Sequence, residues 1–174
     1  MDNFLLLENS KELEQLSKSL GFTKTLFVKD DFVFISGKNT TLLLQEAKEA
    51  KRRGKVVVCK PTSEETLRFV LEKTSADIIL GMEQIHASDS FHYLRGGLDQ
   101  ILCAIAKENN KTFAFSFSEL LTSTKKSQLI ARMGLNISLC RKYKIPMIFS
   151  NFSSEREAMR AAKDLEVFWR ILNK

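Results

Sequence analysis

Seven short runs rich in β-branched and aromatic residues, nearly all separated by stretches of helical spacing, restrict this chain to a small set of folds. Phe4–Leu7, Thr25–Val28, Phe32–Ile35, Val56–Cys59, Ile78–Leu80, Thr112–Phe117 and Met147–Ser150 read as strands. A helix is predicted over Lys11–Leu20, stopped at Gly21, and another over Thr41–Arg53, closed by Gly54, since glycine accepts the left-handed conformation that ends a helix. Thr62-Ser63-Glu64-Glu65 fits a capping box that opens a helix through Lys73. Further helices are predicted over Leu98–Asn109, over Ser127–Lys142, and from Arg156 to the end. Only Thr25–Val28 and Phe32–Ile35 follow each other without a helix, and the turn at Asp30-Asp31 predicts a hairpin there. Strands alternating with helices imply a parallel α/β sheet with right-handed crossovers. The pattern allows an open doubly wound sheet and a short barrel equally. No linker, repeat or low-complexity stretch interrupts residues 1–174, which predicts one domain.

Charge is distributed unevenly. Residues 1–110 carry 15 Lys and Arg against 16 Asp and Glu, whereas residues 111–174 carry 12 against 5. In the predicted last helix Arg156, Arg160, Lys163, Arg170 and Lys174 fall within a stripe roughly 80° wide and about 27 Å long. Leu165, Phe168, Trp169 and Leu172 face the other way, so the expected helix buries one side and presents a row of cations. A solvated outer face would look the same for one helix, but the surrounding third of the chain is basic too. With a pI near 9.3, nucleic acid is the acidic partner to expect. No apolar run approaches the ~20 residues that cross a bilayer, and the start lacks the basic region of a signal peptide. Cys59, Cys103 and Cys140 are scattered at no metal-ligand spacing and read as reduced, buried thiols of a cytoplasmic protein.

Catalytic patterns are missing from the sequence. His86 and His92 lie six apart in the predicted loop Gly81–Gly97, at no metal-binding spacing, and there is no P-loop, GxGxxG or GxSxG. A metal-dependent phosphoesterase, the alternative reading, would need His, Asp or Glu clustered at strand ends. A lyase acting through a Schiff base would need a strand-end lysine in an apolar setting, for which Lys60 is the candidate. Phe113, Phe115 and Phe117 could form a base-stacking platform, but no second aromatic strand accompanies them, so core packing is expected. Arg95 precedes Gly96-Gly97, which would let a backbone approach a ligand, and lies close before a helix whose amides favour anions. Lys125 and Lys126 have a similar setting, ahead of the helix that contains Arg132.

Several segments resemble a known family. Arg95-Gly96-Gly97-Leu98-Asp99-Gln100-Ile101-Leu102, with Ala106-Lys107-Glu108-Asn109 after it, is similar to a segment of the barrel-type protein subunit (component 3) of archaeal and eukaryotic ribonuclease P. The similarity continues through Phe115-Ser116-Phe117-Ser118-Glu119-Leu120-Leu121, Arg132-Met133, Asn136, Arg141-Lys142-Tyr143-Lys144-Ile145-Pro146, Ser150 and Arg160-Ala161-Ala162-Lys163-Asp164-Leu165. The chain departs from the family at Gln128 and Gly134, where many members carry arginine.

The resemblance implies a compact TIM-like barrel, related to metal-dependent phosphoesterases, with about seven strands and surrounding helices. It implies a subunit of an endoribonuclease holoenzyme that contributes no catalytic residue while a catalytic RNA removes the 5′ leader from precursor tRNA. No cofactor is expected on the protein, and Mg²⁺ is expected on the RNA. The implied partners are ribonuclease P RNA, precursor tRNA and a small ferredoxin-like protein subunit, the two proteins forming a heterotetramer without membrane attachment. The family's basic positions fall on Arg95, Lys126, Arg132, Arg160 and Lys163; with Lys125, Arg156 and Arg170 these are the expected RNA contacts. The apolar positions of Gly81–Tyr93 are the candidate surface for the protein partner.

Overall fold

The computed structural model describes residues 1–174. In chain order the elements are β1 (Asp2–Leu5), α1 (Lys11–Ser19), β2 (Lys24–Phe27), β3 (Phe32–Gly37), α2 (Thr40–Arg52), β4 (Val56–Pro61), α3 (Glu64–Lys73) and β5 (Ile78–Leu80). These are followed by α4 (Gln100–Glu108), β6 (Thr112–Ser116), α5 (Phe117–Thr122), α6 (Lys126–Tyr143), β7 (Met147–Ser150) and α7 (Ala162–Leu172). Side-chain caps mark several helix starts: Ser10, Asn39, Ser63, Asp99 and Ser116 each accept from a first-turn amide. At α3 the capping box is present, but Thr66 rather than Glu65 reaches back to the amide of Ser63.

Every ladder is parallel. The strands β3-β4-β5-β6-β7 form one five-stranded sheet and β1-β2 a second. The two sheets meet at both edges. On one side the amides of Phe152 and Leu6 donate to the carbonyls of Phe4 and Ser153, each at 2.8 Å. On the other, Val28 and Phe32 form an isolated parallel bridge, and the Lys29 amide donates to Phe32 at 2.7 Å. The expected hairpin is therefore corrected. A β1–α1–β2 crossover brings β2 alongside β1, which takes up its hydrogen bonds, and the chain turns at Lys29 (φ 70°) into the neighbouring sheet.

Both faces of the sheets are covered, as parallel strands require. Phe4, Phe32, Val58, Ile78, Leu80, Ala114 and Phe152 pack together on one face. On the other, the strands pack against the helices through a larger cluster that includes Phe113, Phe115, Leu67, Leu71, Met133 and Ile137. Phe113 and Phe115 are fully buried, so they build core and no stacking platform. Phe117 starts α5 and does not extend the strand, packing edge-on against Phe149 and Phe168. Cys59, Cys103 and Cys140 are buried and free, and burial pushes their thiols up to about 12, 11 and 12.

The predicted last helix is broken. Arg156–Ala158 form a single 3₁₀ turn, Met159 and Ala161 are extended, and α7 begins only at Ala162. Two contacts impose the break. The buried Asn151 carboxamide accepts from the Arg160 amide at 3.0 Å and donates to the Arg160 carbonyl at 3.3 Å. Met159 is drawn into the core beside Leu5 and Phe27. Arg156 and Arg160 thus lie off the helix that carries Lys163 and Arg170, and the 27 Å row of cations is not formed.

Candidate functional site

The strands β4, β5 and β6 end at one polar cleft of about 580 Å³, the location where parallel α/β sheets commonly bind ligands. Lys60, at the end of β4, forms an ion pair of 2.5 Å with Glu119 in the first turn of α5. Gln84 donates to the second oxygen of the same carboxylate. Lys60 therefore lies in a paired, polar setting, which removes the apolar surroundings that a Schiff-base lysine would need. Glu83, just past β5, is fully buried in the cleft wall, and neither carboxylate oxygen has a hydrogen-bond partner. Burial pushes its pKa to about 8; its own backbone amide, which lies near the carboxyl without meeting hydrogen-bond geometry, opposes the rise, Glu119 adds to it, and Lys60 and Arg132 oppose it. At neutral pH Glu83 is thus mostly a neutral acid. No three His, Cys, Asp or Glu side chains are grouped to hold a metal ion.

Beside the cleft, the Gly81–Gly97 loop is organised around Asp89. Its carboxylate accepts from the Arg95 amide at 2.8 Å, from Gln128 at 2.5 Å and from the Arg132 guanidinium at 2.8 Å. The Arg95 amide is the largest cause, followed by Gln128, of a carboxyl pKa held down to about 2. Arg132 also donates to the carbonyls of Glu83 and His86 at 3.0 and 2.7 Å, and its side chain is only 4% exposed. Arg132, expected among the RNA contacts, is thus buried, and its charge is engaged inside the protein, where it fastens the loop to α6.

The glycine pair also serves the protein's own packing. A Cβ at Gly97 (φ +89°) would lie 2.1 Å from the Met82 carbonyl oxygen, and one at Gly96 would lie 2.4 Å from the Asn136 side chain. The close approach is between the loop and its own scaffold. The first turn of α4 is capped by the Asp99 carboxylate, which accepts from the Leu102 amide, so that helix end already holds an anion. His86 pairs with Glu64 at 2.8 Å, and His92 packs edge-on against Phe91. The loop tip exposes Phe91 (97%) and Tyr93 (62%).

The other cations lie on the surface. Arg95, Lys125, Lys126, Arg156, Arg160, Lys163 and Arg170 are all exposed. Arg156 approaches Glu12 at 3.7 Å and Arg170 pairs with Glu166 at 2.5 Å. Arg160 donates to the carbonyls of Glu157 and Met159. Lys125, at the N-cap of α6, donates to the Ala87 carbonyl at 3.2 Å. The structure brings Lys125 and Arg95 to neighbouring clefts that share His86, and leaves Lys163 and Arg170 on α7. Sequence reasoning passed over Glu83 and Asp89. For Glu83 the available signal was its place just after a strand, at the sheet's ligand-facing end; for Asp89 there was none, because its partners are 6, 39 and 43 residues away.

No family model matches the chain. Its sequence is similar to ribonuclease P protein component 3 of Methanococcus maripaludis strain C7, at 24% identity over 147 residues, covering 80% of this chain and 60% of the relative. The same protein from strain C6 matches with the same identity and coverage. The match thus spans about 60% of the length of these curated relatives. The fold is similar to that of a chain in the cryo-EM structure of archaeal ribonuclease P with mature tRNA, with a TM-score of 0.81 at 16% identity, covering 99% of this chain and 82% of that one. A crystal structure of an uncharacterized protein is also similar, with a TM-score of 0.52 at 8% identity over 83% of this chain and 39% of that one. The likeness to component 3 thus holds in sequence, and the fold is that of a chain of an archaeal ribonuclease P.

Proposed function

We propose that this chain is an RNA-binding protein subunit of ribonuclease P that supports RNA-catalysed removal of the 5′ leader from precursor tRNA. The observation that carries the reading is the sequence likeness to component 3 over 80% of the chain. In this reading residues 1–174 form one domain and the seven strands a TIM-like ring, which the isolated bridges Val28–Phe32 and Leu5–Ser153 at the sheet edges support. The chain's part in the reaction is electrostatic. Exposed Arg95, Lys125, Lys126, Arg156, Arg160, Lys163 and Arg170 neutralise crowded phosphates and release counterions, so that RNA helices approach. Mg²⁺ held by the RNA does the chemistry. The small ferredoxin-like subunit would seat on the exposed Phe91 and Tyr93, in a cytoplasmic heterotetramer.

Reconstitution tests this reading. With ribonuclease P RNA and the other protein subunits, adding this chain should lower the Mg²⁺ needed for cleavage of precursor tRNA. Reversing Lys163 and Arg170 to Glu should raise that requirement and flatten the salt dependence of RNA binding by about one log unit per lost phosphate contact. Unchanged cleavage and an unchanged salt slope would refute the assigned surface.

A further inference from the structure

The cleft at the ends of β4–β6 holds a second feature, contributed by α6. This 18-residue helix starts at its wall, with Lys125 as N-cap and Gln128, Leu129 and Arg132 along the lining. No side chain caps the helix and no acid occupies its first turn. Its amides therefore present partial positive charge toward the cleft. Lys125 and Lys126 stand at the same end, and Thr122, Ser123 and Thr124 add hydroxyl-bearing side chains just before it. Independently, the same wall contains Glu83, fully buried, with both oxygens unpartnered.

Each feature lacks the partner that a tetrahedral oxyanion supplies. A neutral carboxylic acid carries an O–H donor that needs an acceptor, and an uncapped helix N-terminus needs an anion. The charged groups facing Glu83 are Lys60 at the end of β4, Glu119 on α5 and Arg132 on α6. Lys60 and Glu119 neutralise each other, and Arg132 is paired with Asp89, which leaves Lys125 as the unbalanced charge of the lining. We propose that this cleft is a binding site for a single phosphate group, held by the first-turn amides of α6 and by Lys125, with Glu83 donating its proton from the wall. The site stands on this chain's residues alone; the ribonuclease P reading bears only on whether RNA supplies the phosphate.

The test is a titration of the isolated full chain, followed by amide NMR at constant ionic strength in chloride. Sulfate is the probe, because it does not titrate between pH 6 and about 9, whereas inorganic phosphate does. Saturable shifts centred on the amides of Lys126, Ser127 and Gln128 are expected. Lys125→Asp places a carboxylate at the N-cap, where it can accept from a first-turn amide; it should weaken sulfate binding about tenfold or more while leaving the unfolding midpoint unchanged or higher. Glu83→Gln keeps a donor, so it should bind sulfate like the parent at pH 7 and lose the parent's fall in affinity above pH 8. Absence of saturable shifts, or a Lys125→Asp variant that binds like the parent, would overturn the proposal. Inorganic phosphate and a short oligoribonucleotide then identify the source: tighter binding of the oligoribonucleotide assigns it to RNA, equal binding to free phosphate. Cleavage by the reconstituted holoenzyme is a separate readout, so failure of one reading does not imply failure of the other.

Discussion

Glu83 makes the stability of this protein depend on pH in a direction opposite to that of most carboxylates. Its folded pKa of about 8 stands above the ordinary value of 4.5, because burial disfavours the charged form. Between those two values the folded state holds a proton that the unfolded chain releases. Stability is therefore complete below the ordinary carboxylate pKa and is lost as pH rises toward and through 8. At 1.36 kcal/mol per unit, the loss between pH 5.5 and 8 is about 3 kcal/mol, a large share of a typical net stability of ~5–15 kcal/mol. Glu83→Gln keeps the shape and removes the charge. Urea unfolding of both proteins at pH 5.5, 7 and 8, in buffers free of phosphate and sulfate, isolates the effect, since every other titrating group is common to the pair. The variant should gain on the parent by about 3 kcal/mol between pH 5.5 and 8. If the two profiles stay parallel within about 0.5 kcal/mol, Glu83 is not the isolated acid described above.

Arg132→Met removes the donors that satisfy the carbonyls of Glu83 and His86, and should cost about 2–4 kcal/mol in urea unfolding; a loss below 1 kcal/mol would return Arg132 to the surface set. Gly97→Ala forces a Cβ against the Met82 carbonyl at positive φ and should destabilise by about 2 kcal/mol or more, whereas Gly134→Ala, with open space around it inside α6, should stabilise by roughly 0.5–1 kcal/mol; equal midpoints for the two would contradict the packing described. Asn151→Leu abolishes the clamp on Arg160, and should lower stability by about 2–3 kcal/mol and speed amide exchange at Arg160; unchanged exchange there would show that Met159 alone breaks the helix.

The alternation of strand and helix was legible because burial on both faces of a parallel strand leaves an unbroken apolar run, as in Val56–Cys59 and Ile78–Leu80. The pairing of those strands was less so. Asp30-Asp31 has the composition of a hairpin turn, yet the choice between β1 and β3 as neighbour of β2 is made by the α1 crossover, which local composition does not encode. The last helix misled for a similar reason. Residues 156–174 keep a 3.6-residue period through the break, and the group that interrupts them, Asn151, acts from outside that window. At the site, charge was readable and its partners were not: Arg132 and Lys126 look alike in sequence, and what separates them is the Asp89 carboxylate, 43 residues before Arg132, together with the carbonyls of Glu83 and His86.

That distinction decides which cations are free to serve the RNA surface proposed above. Arg156 and Arg170 are ion-paired, but their side chains are 56% and 73% exposed, and exposed pairs contribute little, at most about 1 kcal/mol. A phosphate can displace Glu12 or Glu166 at small cost. Arg132 cannot be exchanged in this way, because leaving Asp89 would also strip the buried carbonyls of Glu83 and His86 of their donor. Availability therefore follows burial and partner type, not formal charge. Reversing exposed Arg95 and Lys126 to Glu should reduce the slope of log K against log salt by about two without altering the unfolding midpoint. Arg132→Met should instead lower the midpoint and, below it, leave the slope unchanged. A slope that falls equally for both variants would mean that Arg132 reaches phosphate despite its burial, and the loop anchored by Asp89 would then have to open when RNA binds.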